Sequence, residues 1–186
     1  KLIFHHECVQ SNVLHVYFLA APDFLGVGSV FPLIETNPEV VNIALRLKKM
    51  ANDMVRIIGG RAVHPITTVV GGFTKLPTED EMYQMRDMLK SAYPDLEKSL
   101  KILKTLKMPS FERETEYLSI TDENDYALYD GDIKSSDGWI INDQDYLTKI
   151  KEKVVQHSTG KHCWASRDSF MVGALARVNN NFDKLS

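Results

Sequence analysis

The 186 residues carry 22 Lys and Arg against 25 Asp and Glu, a formal net charge of −3, and 44% of them are hydrophobic. That length fits one domain or one with a small extension, and the apolar and charged fractions exclude wholesale disorder. The negative balance argues against general nucleic-acid binding, which needs a basic face, and no run approaches the ~18 apolar residues of a membrane-spanning helix. The two cysteines, Cys8 and Cys163, make neither a disulfide framework nor a Cys-x-x-Cys clamp, which points to a reducing cytoplasm.

Residue 1 is Lys, and an amphipathic pattern is already under way at Leu2 and Ile3, so the chain reads as a piece from inside a longer one. Helical spacing from Leu2 to Ala21 predicts a first helix, stopped at Pro22-Asp23. A Gly- and Pro-rich loop follows. Asn37-Pro38 then reads as an N-cap with Pro in the first turn, opening a helix to about Ile58 with Val40, Ala44, Leu47, Ala51, Met54 and Ile58 on one face. Gly59-Gly60 supplies a left-handed exit, and residues 61–77 read as a loop. Thr78 and Glu81 form a capping box for a helix with Met82, Met85, Leu89 and Ala92 along its core stripe. Pro94 is expected to kink or split that helix, which continues through Leu96, Leu100, Leu103 and Leu106.

Composition shifts near Pro109. Residues 112–145 hold eleven acidic side chains against Arg113 and Lys134, a local balance of −9. Three β-prone runs lie within that stretch, at Tyr117–Ile120, Tyr126–Tyr129 and Trp139–Ile141, with Asp130-Gly131 and Asp137-Gly138 as turn candidates. Asn142 or Asp143 then caps a helix expected to reach about His157. The fold expected is α+β and mainly α: a helical bundle core with a small antiparallel sheet in the second half. Its helical part covers 1–108, and the sheet plus helix covers 109–186.

Several chemical signatures fail on spacing. With Gly131 as an EF-hand glycine, the earlier ligand positions fall on Tyr126 and Leu128, so the acidic stretch reads as a solvated face that could steer a basic partner. His5, Cys8 and His15 can share a helix face but lack the fourth ligand and the clamp that tetrahedral zinc needs. Serine-hydrolase, P-loop and Rossmann motifs are missing. The unusual segment is Gly59-Gly60-Arg61-Ala62-Val63-His64-Pro65 … Gly71-Gly72, where two glycine pairs flank a permanent cation and a side chain able to titrate near neutrality.

That segment resembles the Gly-Gly-Arg-x-x-His-Pro…Gly-Gly loop of nickel–iron hydrogenase large subunits. Two further stretches agree in order: Gln10–Asp23, similar to the family helix ending Leu-x-x-Pro-Asp, and Val172–Asn179, similar to its Val-Gly-Pro/Ala-Leu-Ala-Arg-x-Asn. Their details most resemble the cytoplasmic viologen-reducing or deazaflavin-reducing branch. The resemblance implies reversible splitting of dihydrogen in the parent protein, a nickel–iron centre, and partnership with a small iron–sulfur subunit. It also implies that Arg61 and His64 lie near the metals as outer-shell or proton-relay residues, with Arg177 a further candidate.

The family holds its metals with two Cys-x-x-Cys pairs, and this chain has none, so the expected piece is the middle of the subunit, inactive alone and binding no stoichiometric nickel. Apolar faces left uncovered would favour self-association. Two other readings stand beside it: a metal-free homologue related to the quinone-side subunit of respiratory complex I, and a non-catalytic helical interaction module.

Overall fold

The computed structural model describes residues 1–185 and divides into two compact units, Lys1–Ser110 and Phe111–Ser186. The architecture is α+β and mainly helical, as the sequence predicts.

The first unit is built on three long helical segments. Helix α1 spans Leu2–Val13 and runs on through a π-helical stretch, Leu14–Ala20, into the single turn α2, Ala21–Phe24. The helical path therefore passes Pro22 rather than ending there. At the π stretch the Ala21 N–H bonds back to Val16 rather than to the usual carbonyl four residues earlier. Such widening is one way a helix absorbs a proline ring that would otherwise crowd the preceding turn.

A short helix α3 (Leu33–Thr36) precedes α4, Pro38–Gly59. Pro38 occupies the first turn as expected, but the Asn37 side chain makes no capping bond and donates to Thr36 Oγ1 instead. The predicted apolar face of α4 is the unit's core. Ala44, Leu47, Ala51, Met54 and Ile58 are buried there, with Val40 half-buried. One cluster joins Val13 and Tyr17 to Ile43, Ala44, Leu47 and Ala92, and a second joins Ile3 to Met54, Ile58 and Met85.

Residues 61–77 are not all loop. Strands β1 (Thr68–Val69) and β2 (Gly72–Phe73) make a minimal antiparallel hairpin with Val70-Gly71 at its tip. Helix α5, Glu79–Leu103, opens with the predicted capping box, Thr78 Oγ1 accepting from the Glu81 N–H and Glu81 Oε2 from the Thr78 N–H. It stays one helix through Pro94, which lies on the exposed side, where the carbonyl it leaves unpaired is open to water.

The buried stripe of α5 also differs from the expected one. Met85 and Ala92 face the core, but Met82 and Leu89 are exposed, and the stripe continues through Met88, Asp95, Ser99 and Ile102. Polar members are admitted because they are paired. Asp95 receives two 2.7 Å bonds from Arg46 Nε and Nη2 on α4, and Ser99 accepts from the Tyr17 hydroxyl while donating to the Asp95 carbonyl.

The second unit contains a four-stranded sheet in the order β5-β4-β3-β8, with β3 Glu116–Thr121, β4 Asp132–Ser135, β5 Ile140–Ile141 and β8 Phe170–Met171. β3, β4 and β5 are antiparallel, in the register Leu118↔Ser135 and Ile133↔Ile141, and Asp137-Gly138 makes the β4–β5 turn as predicted. β8 adds a parallel edge, Glu116↔Phe170, which nothing in the local pattern announces. Tyr126–Tyr129 is not a strand, and the connection 122–131 crosses as irregular chain.

The helix expected from Asn142 to about His157 is only a 3-10 turn, Asp143–Thr148, capped by Asn142 Oδ1. The chain then extends into β6 (Lys151–Lys153), paired antiparallel with β7 (His162–Trp164), and α6 (Ala174–Asn180) packs on β3. Of the eleven acidic residues Glu116 is an exception to the solvated face, being fully buried with bonds from Ser135 Oγ (2.6 Å) and the Arg167 N–H (3.1 Å).

Candidate functional site

The Gly-Gly-Arg…His-Pro segment is a closed loop on the end of α4. Gly60 leaves the helix in the left-handed region, φ 76°, with its N–H bonded to the Arg56 carbonyl at 2.9 Å. The chain then returns on itself. Ile66 and Thr67 N–H groups bond the Gly59 carbonyl at 2.8 and 3.3 Å, and Thr67 Oγ1 bonds the Ile58 carbonyl at 2.7 Å. The terminal carbonyls of α4 are thus satisfied by the loop it launches. Gly59 is required sterically, because a Cβ there would sit 2.8 Å from Pro65 Cβ and 3.2 Å from Ile3 Cδ1.

Between these pinned ends Arg61 and His64 are both exposed. His64 has φ 54°, a left-handed conformation that costs a non-glycine residue roughly 1 kcal/mol or more. Arg61 makes no ion pair among the described residues, so its guanidinium is presented outward. The middle of the loop is held by Gln10 on α1, whose Nε2 donates to the Ala62 carbonyl at 2.9 Å and also to Asn52 on α4. The structure therefore brings Arg61 and His64 together on one rigid, strained loop. Sequence reasoning found that loop from its glycines but missed Gln10, whose contacts span 42 and 52 positions and leave no local trace.

Arg177 belongs to the second unit, on α6. Its Nε is buried without a hydrogen-bond partner, and it lines an apolar cavity of about 290 Å³ with Leu118, Ile120, Leu128, Ile133 and Val172. The neighbouring asparagines do the structural work of that segment. Asn180 Nδ2 bonds the Tyr117 and Lys134 carbonyls at 3.2 and 3.1 Å, and Asn181 Nδ2 bonds the Ile120 and Arg177 carbonyls at 3.0 Å each.

Among the described residues no three His, Cys, Asp or Glu side chains gather as a metal site. Cys8 and Cys163 are free thiols, one in each unit, and do not supply the paired thiolates that a nickel–iron centre needs. These residues do not fit such a centre by themselves. No helix among the described residues is long and apolar enough to cross a membrane.

No family model matches the chain. Individual relatives do. The alpha subunit of sulfhydrogenase 1 from Pyrococcus furiosus is 35% identical over 187 aligned residues, covering 100% of this chain and 44% of the relative. A vhu subunit of the F420-non-reducing hydrogenase of Methanocaldococcus jannaschii is 29% identical over 198, covering 92% and 47%. In fold, the chain matches a crystal structure of NAD+-reducing nickel–iron hydrogenase in its H2-reduced state with a TM-score of 0.82, at 22% identity, over 96% of this chain and 46% of that one. The chain spans a little under half the length of these relatives. Matched from end to end, it is a relative of hydrogenase alpha, or large, subunits and corresponds to a fragment of one.

Proposed function

We propose that residues 1–186 are the central portion of the large subunit of a nickel–iron hydrogenase whose complete form reversibly splits dihydrogen into protons and electrons. The supporting observation is the alignment of the whole chain, at 35% identity, with the alpha subunit of a sulfhydrogenase. Both parts of the chain, 1–108 and 109–186, belong to one large-subunit fold in this reading. The metal thiolates come from residues outside this chain, and none of its own side chains is assigned a step through the metals.

Arg61 and His64 serve next to the reacting site. Arg61 offers a permanent fork of donors to polar groups held there, and the His64 imidazole can hand on a proton as acid or base. Arg177, on α6 of the second unit, is a separate candidate for a role in the complete enzyme. The partner is a small iron–sulfur subunit that takes the electrons, and the free Cys8 and Cys163 suit a cytoplasmic, reducing compartment.

The test is dihydrogen-dependent viologen reduction by the assembled enzyme containing these residues. Arg61→Ala and His64→Gln are each expected to lower kcat by about a hundredfold, the scale of removing an electrostatic donor in the first case and a proton-transfer group in the second. Unchanged turnover in both overturns the roles assigned here. The 186-residue chain purified alone is expected to hold no stoichiometric nickel and to reduce no viologen, and about one nickel per chain would refute that.

A further inference from the structure

Three elements meet at Gln10. The two hydrogens of its amide are directed to Asn52 Oδ1 on α4 and to the Ala62 carbonyl, and its main-chain carbonyl accepts from Lys48 Nζ at 3.1 Å. Lys48 and Asn52 lie one turn apart on α4, so they grip the same stretch of α1 side by side. The Lys48 ammonium is partly withdrawn from water, and burial lowers its pKa. The Gln10 amide reaches the middle of the loop, at Ala62, from outside it.

We infer that Gln10 is a positioning residue: by fixing the Ala62 carbonyl it sets the directions in which Arg61 and His64 leave the loop. The inference rests on the reading of those two side chains as site residues. A bonded carbonyl fixes the plane of the Ala62–Val63 peptide, and that plane lies between the two presented groups. The closures at Gly59 and Thr67 hold only the ends. With the brace removed, His64 is free to leave its left-handed conformation for an ordinary one, and the loop relaxes in the direction the strain favours.

Gln10→Leu keeps the side-chain size and removes both donors. In the full chain, amide exchange of residues 61–66 is expected to rise by about tenfold or more, while that of 51–58 on α4 stays unchanged. In the assembled hydrogenase kcat should fall by about tenfold with the KM for dihydrogen unchanged, because misdirected groups slow the chemical step without altering access. Asn52→Leu, which leaves the Ala62 bond in place, should produce a smaller version of both effects.

In an Arg61→Ala, His64→Ala background Gln10→Leu should add no further loss, because it acts through those residues. Unchanged loop exchange overturns the brace. A kcat loss that persists in full in the double-alanine background shows a merely structural effect and overturns the positioning role. Full turnover in Arg61→Ala and His64→Ala overturns the functional reading itself, an outcome separable from loop exchange, which reads the brace alone.

Discussion

In residues 1–110 the largest fully buried side chains are Leu33, Ile43, Leu47, Met54 and Val55, whereas in 111–186 they are Glu116, Asn181 and Ser135. The first unit excludes water from apolar faces of three helical segments, a force without direction that tolerates repacking. The second has few buried apolar side chains, among them Leu118, Ala127 and Ala176, and closes on hydrogen bonds from two asparagines and to one carboxylate. Such a core tolerates little substitution, because a lost partner leaves a buried polar group unsatisfied. The loop carrying Arg61 and His64 grows from the first kind of core but is itself fixed in the second way.

The comparison is tested most strongly by paired substitutions. Met54→Ala in the first unit should cost about 3 kcal/mol, read from denaturant unfolding followed by helical circular dichroism, while Met54→Leu should cost less than about 1.5 kcal/mol. Asn181→Leu in the second unit, although nearly isosteric, should cost about 1–2 kcal/mol, because the Ile120 carbonyl loses its side-chain donor while the Arg177 carbonyl keeps only the Asn181 N–H. A tolerated Asn181→Leu would erase the distinction between the two cores.

Gly59→Ala sharpens the account of the loop. The added methyl meets the Pro65 ring, and about 1–2 kcal/mol of overpacking should appear in unfolding of the first unit, with faster amide exchange at Ile66 and Thr67.

The smallest effect concerns the polar member of the apolar unit. Arg46 donates two hydrogen bonds to Asp95 and holds its carboxyl below the ordinary carboxylate range. A carboxylate depressed in the folded state stabilises above its unfolded pKa, about 3.9, and that contribution fades as pH falls through the lower folded value. Asp95→Asn should therefore cost about 1 kcal/mol at neutral pH and flatten the acid limb of the unfolding profile below about pH 4.

The features legible in the sequence were those fixed by neighbours along the chain. The face of α4, the Thr78–Glu81 box, the left-handed Gly60 and the Asp137-Gly138 turn all follow from spacings of four residues or fewer, or from repeats of them. Where local rules competed with packing, packing prevailed. Pro22 and Pro94 break isolated helices, yet here the helices run through them, one by widening and one by turning the proline toward water. The stripe on α5 includes Asp95 and Ser99, polar residues that a search for hydrophobic spacing passes over. The helix expected after Asn142 gives way to a 3-10 turn and the β6–β7 pair, whose partner lies at residues 162–164. Within the candidate site Arg61 and His64 were visible from their glycines, but the Gln10 brace joins residues that only the fold brings together.

The π-helical stretch at Leu14–Ala20 shifts the angular phase of everything beyond it. One surplus residue in a helix swings the following side chains about 100° around the axis relative to an uninterrupted α-helix. Excising a single residue there would restore regular backbone bonding and rotate Pro22, Asp23 and Phe24 away from their present bearings. The irregular turn therefore acts as an indexing device: it fixes where the end of the first helix points, independently of how its beginning packs.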